Sequence, residues 1–249
     1  MNEQQTIEQL QALKLFGMAS AMTAQLESPG IQSLPFSERV ALLVEAECHD
    51  RDNRRQRRLM AQAKLKMRNA CLEDIDYRPR RGLDKSQLLS LGQCQWIERH
   101  QHLLITGPTG VGKTWLACAF GMQAIRRGCS VAYHRVSRLL EETEIARADG
   151  SLSGFRSRLA KCQLLILDDW GMSPLTDIGR QDLLEFVDDR TGAGAILIAS
   201  QLPVAKWYEY INEPTLADAI LDRIVHRAHK IEMRGDSMRK KHGLEGGED

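Results

Sequence analysis

The sequence predicts an α/β protein, a doubly wound parallel sheet preceded by a small all-helical N-terminal domain. Three observations carry this expectation. Short apolar runs alternate with amphipathic helical stretches beyond residue 100, the pattern of a parallel sheet whose strands are covered on both faces. The first of these runs enters a glycine-rich turn that opens a helix. Ahead of residue 77 the apolar residues recur every three or four positions instead, the period of helices.

The helical part comes first. Ile7, Leu10, Leu13 and Phe16 form one stripe, and Leu15, Met18, Met22 and Leu26 form a second. Ser28-Pro29-Gly30 stops this helix, because proline lacks the donor that a helix interior needs. Ser37 is the expected N-cap of the next helix, which the pattern carries to about residue 69. Tyr77-Arg78-Pro79-Arg80-Arg81-Gly82 then breaks the composition. The expected organisation is a helical domain over 1–76, an α/β core over 77–242 and a flexible tail over 243–249.

In the core, strands are expected at His102–Gly107, Ser130–Arg135, Gln163–Asp168, Ala195–Gln201 and His229–Arg234. Helices are expected between them at Lys113–Arg127, Ser137–Ala148, Gly179–Arg190 and Ala217–Arg227.

Gly107-Pro108-Thr109-Gly110-Val111-Gly112-Lys113-Thr114 fits G-x-x-x-x-G-K-[ST] at every fixed position, between an apolar strand and an amphipathic helix. Backbone N–H groups of such a loop turn inward on phosphate oxygens, glycine permits the curl, and the helix that follows adds its positive end. Lys113 is placed to meet the β- and γ-phosphates of ATP, and the Thr114 hydroxyl to ligate Mg²⁺. Some fifty residues on, Leu164-Leu165-Ile166-Leu167 ends in Asp168-Asp169. Two acids at the end of a buried strand are costly unless a cation or a reaction uses them. Asp168 is assigned to Mg²⁺ and Asp169 to orienting the attacking water.

The run LLILDDWG resembles the Walker B segment of the DnaA/DnaC-like branch of AAA+ ATPases. Members of that branch often carry Asp-Glu, so Asp169 is one methylene short and slow hydrolysis is expected. The resemblance implies further roles. Ala199-Ser200-Gln201-Leu202-Pro203 is similar to the sensor 1 strand end, with Gln201 the first candidate and Ser200 the second. The stretch 216–227 is similar to the helix that carries an arginine finger, with Arg223 the best match and Arg227 the alternative. Gly235-Asp236-Ser237-Met238-Arg239 resembles the sensor 2 segment, with Arg239 as its arginine.

Over nearly its full length the chain resembles the IstB-type helper ATPases of transposition. The resemblance rests on LKLFGMASAM, RPRRGLD, GPTGVGKT, LLILDDWGMSPL, ASQLPVAKWYE and EPTLADAILDRIVHRAHKIEMRGDSMRK. Trp115, where members often have His, is a local departure. The resemblance implies an ATP-dependent homo-oligomer that binds double-stranded DNA, helps choose target sites and works with a transposase. The residues add one observation of their own. Between Arg51 and Arg68 eight basic residues face a single acid, Asp52. Arg51, Arg54, Arg55 and Arg58 share a helix face, Arg57 lies beside it, and such a face tracks phosphates without reading bases. Glu47–Arg51 and Asp50–Arg54 also have the spacing of internal ion pairs.

Composition narrows the field. Lys and Arg (34) nearly balance Asp and Glu (33), so a nucleic-acid surface must come from local clustering. No apolar run is long enough to span a membrane and the N-terminus has no apolar signal region, so a cytoplasmic protein is expected. The six cysteines show no metal spacing and are expected to be free and mostly buried. The rival readings are a DnaC-like replicative helicase loader, a small-molecule kinase and an ATP-gated DNA scaffold.

Overall fold

The computed structural model describes residues 2–77 and 81–238. Each of the five apolar runs forms a strand: β1 (His102–Thr106), β2 (Val131–Arg135), β3 (Leu164–Trp170), β4 (Ala195–Ser200) and β5 (Ala228–Glu232). They make one sheet in the order β2-β3-β4-β1-β5, with every neighbouring pair parallel. The chain leaves central β1 for the edge strand β2, returns through β3 and β4, and closes beyond β1 with β5. β1, β3 and β4 are buried along their length except at Asp169, as the unbroken apolar runs require.

Alternate residues of these strands serve two cores, because successive side chains leave a strand on opposite faces. Leu103, Ile105, Leu164, Ile166 and Leu197 pack on one face with α5 (Lys85–Gly92), α6 (Gln95–Glu98) and α7 (Lys113–Arg126). Leu104, Leu165, Leu167, Ile196 and Ile198 pack on the other. That face is covered by α8 (Val136–Ala148), α9 (Leu152–Lys161), α10 (Asp177–Asp188), α11 (Trp207–Ile211) and α12 (Pro214–Val225). α9 was not anticipated: it is held by Phe155 and Leu159, one turn apart, with Leu152 packed beside them, in a stretch that is mostly polar.

The N-terminal residues form α1 (Glu3–Ala12), α2 (Phe16–Glu27), the single turn α3 (Pro29–Gln32) and α4 (Phe36–Ala63). The first expected helix is thus two. Lys14 adopts a left-handed φ of 60° between them. α2 begins without a side-chain cap of its own, and Glu47 accepts from the amides of Gly17 (2.9 Å) and Met18 (3.3 Å) instead. The approach is close enough that a Cβ on Gly17 would meet the Ala46 carbonyl and lie 2.7 Å from the Glu47 Cα. α4 ends at Ala63 and not near 69, because Lys64 turns left-handed with φ 50°.

By internal contacts the chain divides into two compact units, Met1–Arg58 and Leu59–Asp249. The division falls inside α4, ahead of the composition break at 77–82. Its cause is packing: Leu59, Ala63, Leu65, Ala70 and Ile75 all belong to the core of the second unit. Arg78, Pro79 and Arg80 of the expected hinge, Arg239 and the tail 243–249 lie outside the described residues. No helix among the described residues is long and apolar enough to cross a membrane. All six cysteines are free; four are buried, Cys71 is half-buried and Cys48 is exposed.

Candidate functional site

The glycine-rich loop leaves the C-terminal end of β1 and runs into α7, at the point where the strand order reverses. In open α/β sheets this is where ligands bind. Its conformation needs glycine. Gly110 and Gly112 have φ of 83° and 99°. A Cβ on Gly107 would strike the Met233 carbonyl oxygen, and one on Gly112 would lie 2.8 Å from the Arg81 guanidinium. α7 starts without a side-chain cap, which leaves its first amides for an anion.

Lys113, nearly buried, donates from Nζ to the Pro108 carbonyl at 2.7 Å and so hangs over the mouth of the loop. The Thr114 hydroxyl reaches Asp168, 2.9 Å from one carboxylate oxygen and 3.1 Å from the other. Asp168 is 2 % exposed. A buried carboxylate needs donors, and Tyr133 supplies a second one from β2 at 2.6 Å. Burial, and then the hydrogen-bonded negative Asp168, push the Tyr133 phenol far above its ordinary value and keep it a donor.

Asp169 lies differently. A register irregularity separates Leu167 from Trp170 in the pairing with β4, and Asp169 itself has φ 58°. Consecutive strand residues ordinarily face opposite ways, but this local kink lets both acids line one cavity. The Asp169 carboxylate is partly exposed and pairs with Arg135 Nε at 3.4 Å. At the end of β4 the two sensor candidates separate. Ser200 is fully buried, donates to the Trp170 carbonyl at 2.8 Å and accepts from the Leu202 amide at 3.0 Å. Gln201 faces the cavity, where its Oε1 accepts from the Thr109 hydroxyl at 2.5 Å.

The cavity has a volume of about 810 Å³. Thr109, Gly110, Gly112, Lys113, Thr114, Asp168, Asp169 and Gln201 are among the residues that line it. Met67, Asn69, Asp74, Asp76, Arg81 and Trp115 line it too, and Met238 of the expected sensor 2 segment also reaches it. A hydroxyl and a buried carboxylate side by side are hard oxygen donors that suit Mg²⁺, which takes few protein ligands and completes its shell with water and phosphate.

The fold and this site can now be set beside known proteins. A family model described as IstB-like ATP binding protein matches residues 8–246. The chain belongs to this family. An insertion sequence ATP-binding protein of Sinorhizobium fredii is 45% identical over 235 residues, covering 94% of this chain and 96% of that protein. The ATP-binding protein of insertion sequence IS1162 from Pseudomonas fluorescens is 49% identical over 203 residues, covering 82% and 88%. Among solved structures, DnaI aligns with a TM-score of 0.57 at 20% identity, over 71% of this chain and 93% of that one. DnaA bound to AMPPCP and single-stranded DNA aligns at 0.54 and 20% identity, over 71% and 55%. At such identity these structures establish the AAA+ fold alone.

Not every expected site residue of this IstB-like chain lies in the cavity. Arg223, on α12, does not line it; its Nε pairs with Asp188 at 2.5 Å. In the N-terminal unit Arg51 pairs with Glu47 at 2.7 Å. Arg54 pairs with Asp50 at 2.8 Å and stacks on Phe16, 5.0 Å from the ring centroid. Arg55, Arg57 and Arg58 are exposed. Two residues of the IstB-like site escaped the motifs. Tyr133 was read only as part of a strand. Arg81 was read as part of the composition break, yet it donates to the Val111 carbonyl at 2.7 Å and the Asp76 carbonyl at 3.2 Å, tying the loop to the segment before it.

Proposed function

We propose that this chain is an AAA+ ATPase of an insertion sequence, which binds ATP and Mg²⁺ in the described cavity and hydrolyses ATP where two copies meet. One observation carries the reading. The cradle, the buried Thr114–Asp168 pair and the outward-turned Asp169 line one cavity of nucleotide size. Lys113 exchanges the Pro108 carbonyl for phosphate oxygens. Thr114 and Asp168 would hold Mg²⁺, which would offset charge on the phosphates. Asp169 and Gln201 orient water at the end of the chain of phosphates. Arg81, the arginine among the described residues that lines the cavity, donates to the Val111 and Asp76 carbonyls, and Arg223 of a neighbouring copy fills the finger role.

The family and the insertion sequence relatives support the larger reading: a homo-oligomer that grips double-stranded DNA and regulates a transposase, in the cytoplasm. The exposed Arg55, Arg57 and Arg58 are the DNA contacts assigned to the N-terminal unit. Particle mass and phosphate release, measured together with ATP and duplex DNA, test it. Oligomers that form with ATP and hydrolyse faster on DNA are expected. A monomer with undiminished turnover would refute it.

A further inference from the structure

We infer that Asp188 is a positioning residue for the arginine finger, fixing the Arg223 guanidinium for a nucleotide held by the neighbouring copy. The inference rests on the proposed finger role of Arg223.

α12 is a rigid support. Its N-terminus is capped by Glu213, whose carboxylate accepts from the Leu216 amide at 2.5 Å. Ala217, Ile220 and Ile224 are fully buried against the second core. At its far end the amide of buried His102 donates to the Arg227 carbonyl at 2.9 Å. The backbone that carries the finger is therefore locked to β1.

The side chain is clamped as well. Arg223 Nη1 donates to the Ala219 carbonyl one turn back, at 2.8 Å, and Nε forms an ion pair with Asp188 at 2.5 Å. The hydrogen bond and the ion pair, at two different nitrogens of a planar guanidinium, restrict its plane and its direction. Asp188 is well placed to do this, because it closes α10, a helix that buries Leu183, Phe186 and Val187 in the same core. The pair stays about one-third exposed on the arginine side and half on the carboxylate side, so a partner can reach it. An unclamped arginine spreads over many rotamers, and a misplacement of about 1 Å at a reacting centre costs up to about a hundredfold in rate.

Mixed oligomers separate this role from any other. Lys113→Ala subunits lose their own nucleotide but present an intact Arg223 and Asp188. Asp188→Ala alone should bind ATP normally and release phosphate about ten- to a hundredfold more slowly. Asp188→Asn, which keeps a neutral acceptor, should fall between it and the parent. Mixed with Lys113→Ala, Asp188→Ala should recover activity, as Arg223→Ala should. Asp188→Ala mixed with Arg223→Ala should not rise above Asp188→Ala alone, because both defects lie on the finger side. Undiminished turnover of Asp188→Ala, or recovery with Arg223→Ala but not with Lys113→Ala, would overturn the inference. Failure of Arg223→Ala to complement Lys113→Ala would instead remove the finger role itself.

Discussion

The Tyr133 hydroxyl and the Asp168 carboxylate, paired 2.6 Å apart across neighbouring strands, form a buried support beneath the proposed Mg²⁺ position. With Thr114 on the other side, the acid is held in one rotamer before any ligand arrives. Tyr133→Phe removes a hydrogen bond to a buried charge, a loss of about 1.5–3 kcal/mol. The melting temperature of the ligand-free protein should fall. The Mg²⁺ concentration needed for half-maximal nucleotide binding should rise severalfold, because Asp168 is no longer held in place. A Mg²⁺ titration that superimposes on the parent would show that Thr114 alone is enough.

Lys113→Ala should abolish tight ATP binding, since the phosphates lose their point charge. Asp169→Asn should retain ATP binding but lose most hydrolysis, because an amide cannot polarise water as a carboxylate does. Nucleotide titration and single-turnover phosphate release distinguish the two. Equal loss of binding in both variants would mean that Asp169 serves the ligand and not the water.

Arg135 holds a positive charge 3.4 Å from the Asp169 carboxylate. An ion pair this exposed is worth up to about 1 kcal/mol, and it opposes the carboxylate's action on water. Arg135→Ala should therefore raise the hydrolysis rate, by at most about fivefold, with ATP affinity unchanged. A fall in rate would assign Arg135 a direct part in the chemistry.

His102 is 5 % exposed and its Nδ1 accepts from the Ile196 amide at 3.1 Å. Burial, followed by the nearby charge of Arg190, lowers its pKa to about 4; Arg227 acts in the same direction, and the bond to the Arg223 backbone opposes them. The unfolded chain therefore binds a proton that the native state refuses. Stability should be full above about pH 6.5 and fall as the pH drops towards 4, by roughly 3 kcal/mol from this group. Denaturant melts across that range should show a shallower slope in His102→Asn, which keeps an acceptor at the Nδ1 position.

The DNA prediction concerns the exposed arginines of α4. Arg51 and Arg54 are committed to Glu47 and Asp50, so their removal should act on the stability of the N-terminal helices. Replacing Arg55, Arg57 and Arg58 with Ala should leave ATP binding intact and flatten the salt dependence of duplex binding. The slope should lose about 0.9 for each phosphate no longer neutralised. An unchanged slope would move the DNA surface elsewhere on the molecule.

The elements easiest to read were those fixed by local chemistry. Short apolar runs bounded by turn residues suit buried strands, and β1 to β5 fall where such runs do. The cradle was legible because each residue answers a backbone or phosphate requirement. What escaped depended on contacts distant in sequence. Gly17 sits against Ala46 and Glu47, and only that approach explains why the first helix is broken. Tyr133 is one apolar-looking strand residue until β3 brings Asp168 beside it. The division at Arg58 was hidden because Leu59 and Ala63 continue the helical pattern while joining a different core.

The left-handed backbone at Asp169 bears on how this site can be redesigned. Short polar residues, aspartate and asparagine above all, tolerate that conformation better than longer ones. Replacing Asp169 with glutamate, to give the proposed water-orienting acid one more methylene, would thus trade reach against conformational ease. The carboxyl would extend, but the kink that turns it into the cavity would become harder to hold. A faster enzyme is more readily sought by releasing the existing acid from Arg135 than by lengthening it.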